Sequence, residues 1–319
     1  MAKTRRRGPL GYYRQFEGMS DLEVSEELRK VADERRRKAL ARVEPLDLSL
    51  TTWFEFPHPD VVAAVTYAAR RGINRYDDPH AGELRAELGR RHGLEARRVV
   101  AGNGAGELLV AAATELLGPG DELITPWPSY PLYPIMAKRA GARPVPVPGR
   151  DPERILDALT GRTRVVVLCN PNDPTGAYTP TEQLRTLLER LPEQVTVVLD
   201  EALVDYVAAE RPGSSLALLD EFERLLIVRT FSKAYGLAGL RAGYALGGPG
   251  SEHLLERLAP PLGLNALAQA GALEAVLKCG PLVAARRAKV TAERERLLSE
   301  LARRPVDASP SGWSASAST

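Results

Sequence analysis

Cysteine is almost missing from this 319-residue chain. Only Cys169 and Cys279 are present, far apart and in no metal or redox spacing, which excludes a disulfide framework. Two buried free thiols in a reducing cytoplasm are expected. Histidine is also scarce, and His58, His80, His92 and His253 form no ligand pattern, so no metal site is expected. No apolar run approaches the roughly 20 residues of a membrane-spanning helix. The basic start, Met1 to Arg7, is followed by no hydrophobic segment, so it does not read as a secretory signal. A formal net charge of +2 without a long basic stripe argues against dedicated nucleic-acid binding. Arginine far outnumbers lysine, which makes each lysine inside a motif more informative.

What the chain does contain is alternation. After a loose start, Ser20 and Glu23 form a capping box for a helix with Leu22, Val24, Leu28, Val31 and Leu40 at helical spacing. The run Arg35 to Lys38 is its solvated face, and Pro45 ends it. Beyond an extended stretch, Leu46 to Phe56, helices are expected near residues 60–70 and 82–91. Strands follow at 99–102, 122–125, 143–147, 164–169, 196–199, 225–228 and 242–246. Helices at 108–117, 133–140 and 181–191 separate them, and 262–302 reads as two long helices. Uninterrupted apolar strands alternating with helices give an α/β fold with a mostly parallel sheet covered on both faces. Residues 305–319 are rich in Ser, Ala and Pro and are expected to be unstructured.

The polar motifs fall just past the carboxyl ends of strands, where open α/β sheets bind ligands. Gly102-Asn-Gly-Ala-Gly-Glu107 is a glycine-rich turn between a strand and a helix, the setting of an anion site. Its glycine spacing matches neither a dinucleotide fingerprint nor a Walker loop, so a monophosphate fits it better. Pro126-Trp-Pro-Ser-Tyr130, Asn170-Pro-Asn-Asp-Pro-Thr-Gly176 and Asp200-Glu201 stand at the next strand ends. The last motif, Arg229-Thr-Phe-Ser-Lys-Ala-Tyr-Gly-Leu-Ala-Gly-Leu-Arg241, puts one lysine between two hydroxyls and an arginine. An amine so placed suits a ligand carrying both an aldehyde and a phosphate.

Over roughly residues 46 to 300, these motifs in this order resemble the fold-type I pyridoxal-phosphate enzymes of aminotransferase class I/II, nearest the histidinol-phosphate aminotransferase group. The resemblance implies a large cofactor domain at 46–280, preceded by a tail and helix at 1–45. It further implies pyridoxal 5′-phosphate as cofactor, with Lys233 as the Schiff-base lysine and proton shuttle and Asp200 paired with the pyridine nitrogen. Gly104, Ala105 and Gly106 would hold the phosphate together with Thr230, Ser232 and Arg241. Tyr130 would stack on the ring. Tyr76 resembles the tyrosine that reaches a neighbouring subunit's phosphate, which implies a homodimer. The partners implied are an amino donor and a 2-oxo acid.

Two departures stand out. Asp173 occupies the position of the family's asparagine beside the cofactor's 3′-oxygen, and Leu203 stands where the family has a tyrosine. A carboxylate beside a phenolate repels it unless one of the two holds a proton. The family also continues into a small domain that carries a carboxylate-binding arginine. Here residues 281–319 read as the start of a reduced small domain. Transamination is the leading reading. Pyridoxal-phosphate decarboxylation of a phosphorylated amino acid, and non-catalytic cofactor binding, are the alternatives, because fold and cofactor alone do not fix the reaction.

Overall fold

The computed structural model describes residues 51–211 and 213–303, together with residues 20, 26, 30, 33 and 34. Two compact units divide the chain, Met1–Thr51 and Thr52–Thr319. Within the first, residues 26, 30, 33 and 34 are helical, on the helix expected from Ser20, while Arg35 to Lys38 lie outside the described residues. The tail expected at 305–319 lies outside them as well.

The second unit is built on seven strands: β1 (Val99–Gly102), β2 (Glu122–Trp127), β3 (Arg143–Pro148), β4 (Thr163–Cys169), β5 (Thr196–Asp200), β6 (Leu225–Thr230) and β7 (Gly243–Gly247). They lie in the order β1-β7-β6-β5-β4-β2-β3. The four pairs from β6 across to β3 are parallel. β7 is the exception, antiparallel to both β1 and β6. The helices are α1 (Pro59–Gly72), α2 (Gly82–His92), α3 (Ala105–Leu116), α4 (Leu132–Arg139), α5 (Pro152–Asp157), α6 (Thr181–Arg190), α7 (Glu252–Leu258), α8 (Ala266–Lys278) and α9 (Gly280–Ala302).

Period-two alternation explains why the central strands are apolar throughout. Val166 and Leu168 of β4, Val197 and Leu199 of β5, and Leu225 and Ile227 of β6 enter one core, with Leu84, Leu88, Leu184 and Ala272 from α2, α6 and α8. Their neighbours Val165, Val167, Val198, Leu226 and Val228 enter the other, against Leu108, Leu109, Tyr133 and Leu255 from α3, α4 and α7. Each fully buried aliphatic side chain contributes about 1.5–3 kcal/mol relative to exposure. A strand that must feed both cores has no polar face to show, hence its continuous hydrophobic run. At the sheet's edge β3 reads Arg-Pro-Val-Pro-Val-Pro. Pro144, Pro146 and Pro148 lack the N–H that a further strand would need, so the open edge is blunted.

Beneath the carboxyl ends of β5 and β6 sits a buried ion pair. Arg229 donates from Nε and a terminal nitrogen to Glu201 at 2.8 and 2.6 Å, and Ser215 donates to the same carboxylate. The side chains are 8% and 2% exposed. Removing one partner would leave the other charge buried and uncompensated, at a cost of about 3–5 kcal/mol. Arg229→Met is expected to lower unfolding stability in urea by that order, with Arg229→Met/Glu201→Gln recovering part of the loss. A loss below about 1 kcal/mol for the single variant would show that the pair contributes little.

Candidate functional site

Strand register lines the candidate residues along one edge of the sheet. Gly243 is paired with Gly102 on one side and Thr230 on the other. On the next strand Asp200 is paired with Val228, and beyond it Cys169 with Asp200. The motifs after β1, β4, β5 and β6 therefore converge, although up to 130 residues of sequence, Gly102 to Ser232, lie between them.

The glycine-rich turn is shaped by close approaches. Gly104 has φ +89°, and a Cβ there would lie 2.6 Å from a terminal nitrogen of Arg241. The guanidinium of Arg241 therefore lies against the turn. A Cβ on Gly243 would lie 2.4 Å from the backbone nitrogen of Ala105, so β7 and the turn touch backbone to backbone. Asn103 closes the turn by donating its N–H to Glu107 Oε2 at 2.7 Å and its side-chain amide to the same carboxylate. Helix α3 begins at Ala105, three residues earlier than the expected Leu108. Ala105 and Gly106 thus occupy its first turn, where no intrahelical acceptor exists for an N–H, and no side chain caps it. Two free donors, the positive end of the helix dipole and a guanidinium make an anion cradle.

Thr230 and Ser232 lie at the end of β6. The buried Thr230 hydroxyl donates to Ser232 Oγ at 3.0 Å, so the Ser232 hydroxyl keeps its own proton for an outside acceptor. Lys233 follows, half-buried, on a turn closed by Gly236 N–H to Lys233 O at 2.9 Å. Phe231 anchors this turn in the core, its ring 5.1 Å from that of Tyr235 and 5.5 Å from that of Tyr244.

Asp200 is 3% exposed. Tyr133 donates its hydroxyl to Oδ2 at 2.8 Å and the Ala202 N–H donates to Oδ1 at 3.0 Å. Burial nonetheless pushes its pKa up to about 6; the two donors lower it, the charge of Asp173 raises it, and that of Lys233 lowers it. Both Asp173 and Lys233 therefore act on Asp200 electrostatically. Burial, reinforced by the charge of Asp200, holds the Tyr133 phenol protonated well above its ordinary range.

Asn172 and Asp173 have different surroundings. Asn172 is buried, accepts from Ser129 Oγ at 2.7 Å, and donates to Pro128 O and Thr175 Oγ1 at 3.0 and 2.8 Å. Its amide is fully used within the protein. Asp173 is half-buried and gives its backbone N–H to Cys169 Sγ at 3.3 Å. Leu203 precedes the short 3-10 helix Val204–Tyr206 and presents no polar atom from its side chain. Both cysteines are buried free thiols, as expected.

Tyr130 is 39% exposed, with its ring edge-on to Tyr133 at 5.8 Å. Tyr76 is 91% exposed on the loop after α1. Two further residues join the site without a motif to announce them. Tyr133 is one, on α4. The other is Arg286 of α9, buried, donating to Ala234 O at 2.8 Å beside Lys233 and lying 4.7 Å from the Trp53 ring. Among the described residues no group of three or more His, Cys, Asp or Glu side chains is arranged to hold a metal ion, and no single helix is long and apolar enough to cross a membrane.

Comparison with known proteins gives this arrangement a setting. The family model for aminotransferase class I and II matches residues 48–318. An aromatic amino acid aminotransferase from Cutibacterium acnes is 40% identical over 252 residues, which are 77% of this chain and 71% of that protein. A histidinol-phosphate aminotransferase from Erythrobacter litoralis is 43% identical over 205 residues, 63% of this chain and 56% of that protein. Among solved structures, histidinol-phosphate aminotransferase from Sinorhizobium meliloti in complex with pyridoxal-5′-phosphate superposes with a TM-score of 0.69 at 30% identity, covering 76% of this chain and 66% of that one. A single mutant of Thermus thermophilus aspartate aminotransferase gives 0.75 at 25% identity, covering 95% and 81%.

The raised pKa of Asp200 has a measurable consequence. Unfolded, the group titrates near 3.8; folded, near 6, so the native state holds the extra proton between these values. Its contribution to stability therefore falls as pH rises through that window, by about 3 kcal/mol in all. Asp200→Asn is expected to stabilise the ligand-free protein at pH 8 by about 1–3 kcal/mol, with a smaller advantage at pH 5, measured by urea unfolding. A pH-independent difference, or a loss at pH 8, would contradict the burial account.

Proposed function

Because this chain belongs to the aminotransferase class I and II family, we propose that the residues gathered at the strand ends hold pyridoxal 5′-phosphate and carry out transamination between an amino donor and a 2-oxo acid. The single observation that carries the proposal is the convergence of three unlike features: the Arg241-backed anion turn, the half-buried amine of Lys233, and the buried carboxyl of Asp200.

The donor set fits the cofactor. Ala105, Gly106, the hydroxyl of Ser232 and Arg241 would hold its phosphate at Gly104, where only a residue without a Cβ leaves room for the guanidinium. Thr230 would act one bond further back, orienting Ser232. Lys233 would supply the amine that attaches the aldehyde. Asp200 would face the pyridine nitrogen, and a cationic ring there would offset the burial that now raises its pKa. Tyr130 would cover the ring face, with Tyr133 bracing both it and Asp200. Asp173, with the amide of Asn172 already engaged, would be the polar side chain of its motif left to meet the cofactor's 3′-oxygen.

When bound, the cofactor supplies an electron sink for the pair left on the substrate Cα as its proton departs. The protein's own residues do the rest. Lys233 would also be the base that removes the proton from that Cα and holds it. Asp200 keeps a negative charge in a site screened from water, where its effect on the ring nitrogen is strongest. Phe231 and Arg286 fix the turn on which Lys233 stands.

Tyr76, exposed on its loop, fits a role in a neighbouring subunit's site, so the active unit in this reading is a homodimer in the cytoplasm. Residues 46–280 are the cofactor domain, and α9, which starts at Gly280, leads into the small domain at 281–319. The amino donor is an aromatic amino acid or histidinol phosphate, the substrates in the names of the relatives.

A donor screen tests this. The cofactor-loaded protein, mixed singly with phenylalanine, tyrosine, tryptophan or histidinol phosphate, is expected to lose its visible absorption with at least one of them and regain it with a 2-oxo acid. Lys233→Ala is expected to slow the exchange at least 1,000-fold, the order lost when a positioned proton-transfer group is removed. Release of carbon dioxide without amino transfer, or spectra unmoved by every donor, would overturn the assignment.

A further inference from the structure

Next to the Lys233 turn lies a cavity of about 660 Å³ whose lining includes none of the residues assigned to the cofactor above. Its size is that of a small-molecule site. Its lining includes Tyr235 from the turn, Arg229 from β6 and Asp205 from the Val204–Tyr206 helix. Arg91 at the end of α2, Arg211 and Arg287 of α9 complete it. We propose that this cavity is a second ligand site, taking a small dianion whose acceptor oxygens belong to carboxylate or phosphate groups.

Charge is the first argument. Four arginines face the cavity against Asp205 and the Glu201 that pairs with Arg229, leaving two positive charges in excess. His92, also in the wall, feels that excess. Its pKa is pushed down to about 3, by burial first and then by the charges of Arg229 and Arg91. It stays neutral and shares a 3.0 Å hydrogen bond with the Tyr244 hydroxyl. His92 therefore adds no cation to the cavity.

Unused donors are the second argument. Arg287 gives Nε to Asp205 O at 2.7 Å, which fixes the side chain while its two terminal nitrogens meet no acceptor among the described residues. Arg91 is tethered likewise, through one terminal nitrogen to Val276 O at 3.3 Å. Neither Arg211 nor the Tyr235 hydroxyl donates to any described residue. Guanidinium groups held by one bond, with a forked pair of donors left over, match the geometry of bidentate carboxylate or phosphate recognition. The walls carry the same β5 and β6 extensions as the strand-end cluster, with Tyr235 only two residues after Lys233.

Calorimetric titration of the cofactor-loaded full chain tests the proposal, with inorganic phosphate and succinate as separate probes. One equivalent of at least one probe is expected to bind; phosphate alone would point to phosphate esters, succinate alone to dicarboxylates. Arg287→Ala and Arg211→Ala are each expected to weaken that binding at least tenfold; because the bound cofactor's phosphate fills the strand-end cradle, that response belongs to this cavity, and the exposed Lys138→Ala on α4 leaves it unchanged. Arg211, exposed and with a side chain that donates to no described residue, keeps the test valid if Arg287→Ala fails to fold. Failure of both anions to bind, or equal affinity in parent and Arg211→Ala, would overturn the proposal.

Discussion

Holding the Asp200 carboxyl at the buried end of β5 costs the protein part of its stability, because two hydrogen bonds do not replace the water lost by a carboxylate. Its pKa near 6 is the mark of that deficit, and most of the surrounding arrangement can be understood from it. Tyr133 is fully buried in order to reach Asp200, which places a phenol inside the α4 core and keeps it protonated. The apolar alternation of β4, β5 and β6 excludes water from the carboxyl, and the same register carries Lys233 to within electrostatic reach of it. In the proposed function a cationic ring beside Asp200 would offset this cost, so the site is preorganised for its ligand.

Glycine performs the complementary task at the other end of the cluster. Gly104 yields space to the Arg241 guanidinium, and Gly243 lets β7 press its backbone against Ala105. The antiparallel run of β7 matters here. It brings Gly243, the strand's first residue, to the same edge of the sheet as the last residues of β1 and β6. One reversed strand thus joins the anion turn to the lysine turn.

Much of this was legible in the sequence, and the portions that were not have physical reasons. The strands of the central sheet stand where their apolar runs place them, because burial on both faces leaves an unmistakable pattern. Helix α3 was expected three residues late, since Ala105-Gly106-Glu107 carries little hydrophobic signal although the backbone there is already helical. The short helices α5 and α7 leave no signal in the sequence, because six or seven residues are too few for periodicity to register. The cluster around Lys233 and Asp200 could be listed from strand-end motifs. Tyr133 and Arg286 could not, as a buried phenol's hydrogen bond and a guanidinium's carbonyl partner depend on tertiary placement alone. The differing roles of Asn172 and Asp173 were equally hidden, because only the folded turn shows that the amide is already occupied.

The central claim is that Lys233 carries the cofactor. It is tested most directly by reducing the pyridoxal-phosphate-loaded protein with borohydride and locating the added mass by peptide mass spectrometry. Modification at Lys233 alone, with none in Lys233→Ala, is the predicted result. Label distributed over surface lysines such as Lys138 and Lys278, or unchanged in Lys233→Ala, would contradict the account.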